Sequence, residues 1–201
     1  SCFQKDILNL VYLCRHFGLP EVADYWESVV TLNTWQQHRI SRLVVQKLFG
    51  TVTGKRLAVL GFAFKADTND TREAPAIRIC RDLLEEGAQL AIHDPKVESA
   101  QIALDLFLEA SAVPDPNAGP SRAALSGEGT WWKADDVAST IAGADAVLIL
   151  TEWQQYRHLD WAILAPLMRQ PAWIFDARSV VDPEAIAEVG LKLWRVGDGQ
   201  A

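Results

Sequence analysis

The chain has 201 residues, 49% apolar and 22% charged, with a formal net charge of −7. This composition fits a globular protein rather than a disordered one, and no apolar run approaches the ~18 residues that a membrane-crossing helix needs. The acidic balance argues against nucleic acid as the main partner, because a phosphate backbone calls for a basic face. A small anionic ligand, which needs only a few local cations, stays open.

Two helical segments come first, and the opening residues lack the charged and apolar regions of a signal peptide. "CFQKDILNLVYLCRHFG" puts Ile7, Leu8, Leu10, Val11 and Cys14 on an apolar side and stops at Gly18, with Pro20 beyond it. From Glu21 to Gly50 there is no internal Gly or Pro, which predicts one long helix with room for a kink near Asn33. Its apolar positions, Trp26, Val29, Val30, Leu32, Trp35, Ile40, Leu43, Val44 and Leu48, are more than one small neighbour covers. The helix therefore also reads as a subunit interface, the basis of a homodimer.

After "TVTGK" the pattern changes to apolar runs alternating with amphipathic segments. "RLAVLGFAF", "AQLAIHDP", "DAVLILTEW", "PAWIFDA" and "LKLWRVG" read as strands, and "APAIRICRDLLEEG" and "LDWAILAPLM" as helices. Strands apolar on both faces and separated by helices predict a doubly wound, mainly parallel Rossmann-like sheet, so the fold class is α/β. The expected division is a helical segment at 1–50 and an α/β domain at 51–201, with a flexible loop at 110–130 where Pro, Gly, Ser and Ala accumulate.

In an open α/β sheet, ligands bind beyond the carboxyl ends of the strands. Those ends are "GFAFKADTNDTRE", "HDP", "LTEW" and "FDARS", and they bring Lys65, Arg72 and Arg178 toward one edge. Three cations there suit a diphosphate. The alternative is that they are solvated loop charges paired with Asp67, Asp70 or Glu73. The first turn has Gly61 but no GxGxxG, and bulky Phe62 and Phe64 follow it. This favours a nucleotide held by side chains over NAD in its usual backbone-cradled pose.

Three cysteines without CxxC spacing provide neither a disulfide framework nor a zinc pattern, and suggest a reducing, cytoplasmic setting. Four scattered histidines read as surface or packing residues, and no metal site is expected. Cys14 and Cys80 fall inside helices and read as packing. Cys2 differs: it precedes a helix whose first turns carry Lys5 and Asp6, where a thiol can act as a nucleophile and a carboxylate can assist water. A packing role is the alternative for Cys2 as well.

Taken in order, "SCFQKD", the Asn and Arg of "LNTWQQHR", "GFAFKADTNDTRE", "HDPKV", "TEW" and "FDARSVVD" resemble the UDP-glucose dehydrogenase family, over its C-terminal half. The resemblance implies an NAD-dependent, four-electron oxidation of a UDP-sugar 6-hydroxyl to the carboxylate. It implies Cys2 as the covalent nucleophile and Asp6 as the water-assisting carboxylate. Lys5 and Arg72 would lie beside the NAD cofactor, and Phe64, Lys65 and Arg178 would contact the UDP-sugar. The family's NAD-binding domain is not among these 201 residues, so the chain is expected to be a fragment without turnover of its own. Two alternatives remain: a dehydrogenase of another nucleotide sugar (GDP-mannose or a UDP-N-acetyl sugar), and a non-catalytic nucleotide-binding or dimerisation module.

Overall fold

A computed structural model describes residues 2–112 and 127–199, with Cys2 described for its backbone only. Most of the stretch read as a flexible loop lies outside the described residues.

Helix α1 spans Cys2–His16 and α2 spans Pro20–Lys47. The turn between them follows from Gly18, whose left-handed φ of +73° lets Leu19 N–H reach back to Cys14 O at 2.9 Å. Pro20 then opens α2, where a missing N–H costs nothing. No break appears at Asn33: α2 runs continuously from Pro20 to Lys47. The two helices share a small core of Val11, Cys14 and Ala23, against which Ile7 and Trp26 pack. The C-terminal half of α2 joins the main core through Ile40, Leu43, Val44 and Leu48.

The sheet has strands β1 (Arg56–Leu60), β2 (Gln89–His93), β3 (Thr130–Lys133), β4 (Ala146–Ile149), β5 (Trp173–Asp176) and β6 (Lys192–Arg195). Their spatial order is β3-β2-β1-β4-β5-β6, and every adjacent pair is parallel. Register is set by apolar partners such as Leu57 against Leu90 and Ala146, and Phe175 against Leu148 and Trp194. The covering helices are α3 (Pro75–Glu85), α4 (Ser99–Leu106), α5 (Val137–Ile141), α6 (Trp161–Leu164) and α7 (Pro183–Glu188).

Local chemistry accounts for these elements. In α3, Ala76, Ile79, Cys80, Leu83 and Leu84 recur at helical spacing and are all buried. Asp136 caps α5 by accepting from Ser139 N–H at 2.8 Å, and Asp182 caps α7 by accepting from Glu184 N–H at 3.0 Å. The segment expected as one helix at "LDWAILAPLM" is a single α turn, α6, followed by a 3-10 turn at Ala165–Leu167. Strand β3 has no counterpart in the sequence reading. Its two indoles, Trp131 and Trp132, are fully buried, with Trp131 Nε1 donating to Leu108 O at 2.8 Å and Arg56 lying 4.8 Å over the Trp132 ring. Four residues next to a polar, Pro-rich stretch are too short for a periodic signal to stand out.

Helix α2 is pinned to α3 by a compact polar cluster. Asp82 Oδ2 accepts from Ser41 Oγ at 2.5 Å and meets His38 Nδ1 at 2.7 Å. The helical segment is thus tied to the sheet along the flank that leads to the start of α1.

Candidate nucleotide site at the switch point

The strand order reverses between β1 and β4, which opens a crevice beyond their carboxyl ends. Three turns meet there. The β1 turn starts with Gly61 at φ +93°, where a Cβ would lie 2.6 Å from Thr151 Oγ1 and 2.8 Å from Thr151 N. Only glycine permits both that conformation and that approach. Thr151 in turn donates from Oγ1 to Ala63 O at 2.6 Å, locking the β4 turn to the β1 turn.

Asp94, directly after β2, is 2% exposed and organises all three turns. Its Oδ2 accepts from Phe62 N–H at 2.7 Å, Ala63 N–H at 2.9 Å and Trp153 Nε1 at 3.2 Å. Its Oδ1 accepts from Lys96 N–H at 2.9 Å and Val97 N–H at 3.0 Å. Asp176, at the end of β5 and fully buried, acts similarly: Oδ1 accepts from Arg178 N–H at 2.9 Å, and Oδ2 from Val180 and Val181 N–H at 2.7 and 2.9 Å. Burying a carboxylate is tolerable when several N–H dipoles converge on it.

Arg178 is the side chain that spans the crevice. Its Nε donates to Leu150 O at 2.8 Å, its NH2 group reaches Phe64 O at 3.5 Å, and Glu152 Oε2 lies 3.5 Å from Nε. Lys65, next in the chain after Phe64, is exposed, and Phe64 is 37% exposed. Arg72 makes a two-pronged pair with Asp70, at 2.9 Å from Nε and 2.8 Å from NH2. These hydrogen bonds hold the Asp70 carboxyl well below the usual carboxylate range. Arg72 thus pairs with Asp70, one of the partners the loop-charge alternative named, whereas Arg178 meets Glu152 instead and also holds two backbone carbonyls of the crevice. Among the described residues, three of the five non-glycine residues with left-handed φ, Asp67, Glu73 and Ser179, sit in these same turns. That concentration of uncommon backbone conformations is typical of binding edges.

Behind the crevice, His93 and Tyr156 close a buried pair. Tyr156 Oη donates to His93 O at 3.0 Å and meets His93 Nδ1 at 2.9 Å. One proton arrangement satisfies both contacts: Nδ1–H donates to Oη while Oη donates to His93 O. Burial pushes the His93 ring below its ordinary value, with Asp94 opposing, and raises the Tyr156 phenol.

Helix α1 reaches this region. A cavity of about 270 Å³ is bounded by Phe3, Gln4 and Ile7 of α1, Val30 and Asn33 of α2, and Phe64 of the β1 turn. The helix on which Cys2, Lys5 and Asp6 sit therefore begins beside a residue of the predicted substrate contact. Lys5 and Asp6 are exposed, and no hydrogen bond or ion pair to another described residue occupies either. A second cleft of about 320 Å³, lined by Arg72, Arg78 and Arg81, adjoins the first through Gln37 and Glu73.

The family model for the UDP-binding domain of UDP-glucose and GDP-mannose dehydrogenases matches residues 58–183, the stretch that carries every one of these turns. The chain belongs to the UDP-glucose/GDP-mannose dehydrogenase family. It is 45% identical over 204 residues to UDP-glucose 6-dehydrogenase 2 of Oryza sativa subsp. japonica, covering 98% of this chain and 41% of that protein. It is 43% identical over 197 residues to UDP-glucose 6-dehydrogenase of Drosophila melanogaster, covering 98% and 40%. The chain thus spans about two-fifths of the length of these relatives. Among solved structures it resembles a UDP-glucose dehydrogenase from Pyrobaculum islandicum, with a TM-score of 0.65, 26% identity and coverage of 90% of this chain and 34% of that one. NDP-N-acetyl-D-galactosaminuronic acid dehydrogenase from Methanosarcina mazei shares the fold, with a TM-score of 0.58, 19% identity and coverage of 89% and 30%.

The first turn of this sheet differs from a dinucleotide turn in more than the bulk of Phe62 and Phe64 that the sequence shows. Phe62 is fully buried in the core. The backbone N–H groups are already taken: Gly61 N–H by His93 O, Phe62 and Ala63 by Asp94, and Phe64 by Asp70 O. Asp94, Thr151 and Glu152 were not singled out from sequence. The available signal was an Asp placed immediately after an apolar strand, in "HDP" and again in "FDARS".

Proposed function

We propose that this chain supplies the UDP-binding half of an NAD-dependent UDP-glucose 6-dehydrogenase, which converts UDP-glucose to UDP-glucuronate. The reading is supported most by one observation: Arg178 bridges the β1 and β4 turns at the switch point, where the backbone N–H groups are already taken, and Lys65, next in the chain after Phe64, is exposed. A diphosphate at this edge is then held by side-chain cations, Arg178 as a planar fork and Lys65 as a point charge. Phe64 offers an apolar face to the same ligand.

Cys2 is the nucleophile of this reading. Its thiolate adds to the aldehyde carbon formed in the first oxidation, giving a thiohemiacetal, and loss of a second hydride leaves a thioester. Water, oriented by Asp6, hydrolyses the thioester to the carboxylate and frees the thiol. NAD, when bound, accepts one hydride in each oxidation. On this chain Lys5 and Arg72 are the residues that would meet it. Lys5 is exposed without a partner among the described residues, and the Arg72 side chain is 79% exposed at the mouth of the arginine cleft. The Gly61–Phe64 backbone donors of the β1 turn are engaged within the protein, which disfavours the usual dinucleotide pyrophosphate pose there.

The active unit is a homodimer built on the Glu21–Gly50 helix. Tyr25, Leu32 and Trp35 are 66%, 64% and 47% exposed along α2, more apolar surface than a solvated helix face needs.

Two assays test the reading. Calorimetry with the 201-residue chain should show UDP binding that is lost with Lys65→Ala and Arg178→Ala together. In the longer protein, Cys2→Ser should abolish release of UDP-glucuronate, and the 201-residue chain by itself should release no NADH from UDP-glucose. Equal affinity for UDP and NAD, or normal acid formation by the Ser variant, would refute it.

A further inference from the structure

Resting on the UDP-binding reading, we propose that Asp94 is a positioning residue that fills the phosphate nest of the β1 turn with the protein's own anion. It thereby sets the nucleotide preference of the sheet. In a dinucleotide turn, the N–H groups that follow β1 face a pyrophosphate. Here the equivalent groups of Phe62 and Ala63 both donate to one carboxylate oxygen, at 2.7 and 2.9 Å. The carboxylate is 2% exposed, so it competes with no solvent for them.

The same side chain also fixes the other two walls. Trp153 Nε1 ties the β4 turn to Oδ2, and that turn carries Glu152, which lies 3.5 Å from Arg178. Lys96 and Val97 tie the β2 turn to Oδ1, and Lys96 Nζ reaches on to Asp67 O at 3.2 Å in the β1 loop. Asp94 thus receives five donors from three turns, and no cation is bonded to it among the described residues. Two consequences follow. A pyrophosphate is refused on the backbone of the β1 turn, because the N–H groups that would cradle it are spent on the carboxylate that stands there, and a diphosphate is left to the side-chain cations. Phe64 and Lys65, next in the chain after Ala63, are held in place ahead of the ligand, so their ordering cost is met during folding.

Asp94→Asn keeps the volume but replaces one accepting oxygen by an NH2 donor, which faces N–H groups that need an acceptor. The test uses the 201-residue chain, UDP as the probe in calorimetry, and amide hydrogen exchange. Ile186→Val, a buried change in α7 outside the three turns that Asp94 joins, serves as a stability control. The expected result is UDP affinity about tenfold or more lower in Asp94→Asn and unchanged in Ile186→Val. Phe62 and Ala63 amides should exchange faster than in wild type, while β5 amides exchange as in the control. Unchanged UDP affinity, or unchanged exchange at Phe62 and Ala63, overturns the proposal. If wild type binds no UDP, the function reading fails instead, and the exchange result still decides whether Asp94 holds the turn. If Asp94→Asn does not fold, Trp153→Phe removes one donor from the same oxygen, and a folded Phe variant with wild-type UDP affinity overturns the proposal.

Discussion

Replacing Gly61 by alanine tests whether the switch point is as tight as the geometry requires. A non-glycine residue held at φ +93° costs about 1–2 kcal/mol in backbone strain. The new methyl also falls 2.6 Å from Thr151 Oγ1 and 2.8 Å from Thr151 N. The second neighbour is backbone, so the overlap is not relieved by a rotamer change alone, and overpacking of this kind costs about 1–3 kcal/mol. Moving Thr151 aside also breaks its 2.6 Å hydrogen bond to Ala63 O, worth about 0.5–1.5 kcal/mol. The sum, about 2.5–6.5 kcal/mol, is a large share of the roughly 5–15 kcal/mol that holds a domain folded. Urea unfolding followed by tryptophan fluorescence reads it directly, and Trp153 lies in the β4 turn itself. Gly61→Ala combined with Thr151→Gly should recover part of the loss, because the threonine side chain is the nearer obstacle. A loss below about 1 kcal/mol in the single variant, or no coupling between the two sites, would refute the reasoning.

The other expectations are read at separate places. Arg178→Ala should weaken UDP binding by about 1–3 kcal/mol, and Arg178→Lys should fail to restore it, because a point charge cannot make the forked contacts to Leu150 and Phe64 carbonyls. Calorimetry showing full rescue by lysine would contradict this. His93 is held neutral by burial, so the unfolded chain binds more protons below the ordinary histidine value of about 6.5. Its contribution to stability is complete above that pH and declines as the pH falls through it. Wild type should therefore lose stability more steeply than His93→Gln between about pH 7 and 5, and parallel unfolding curves would count against a neutral buried ring. Leu32→Glu should convert the proposed dimer to a monomer in sedimentation at tens of micromolar, and an unchanged sedimentation mass would place the interface elsewhere.

The architecture was open to reading from the chain because it rests on local patterns. Apolar runs bounded by Gly and Asp mark β1, β2, β4, β5 and β6, and the spacing of Ala76, Ile79, Cys80, Leu83 and Leu84 marks α3. Alternation of the two leaves a parallel sheet as the economical way to bury both faces. The motifs around Cys2, Phe64, Lys65 and Arg178 pointed to the family because those residues keep a fixed order along the chain. Strand β3 escaped because four residues carry no periodicity, and its two tryptophans are buried by long-range packing. What joins the turns was decided only in three dimensions. Asp94 lies 32 residues from Phe62 and 59 from Trp153, and Thr151 lies 88 from Ala63. No local pattern records those distances, because the strand order that brings the three turns together is itself a product of packing. A carboxylate that looks in the sequence like one more solvated charge becomes, once buried among five donors, the group that joins three turns at the switch point.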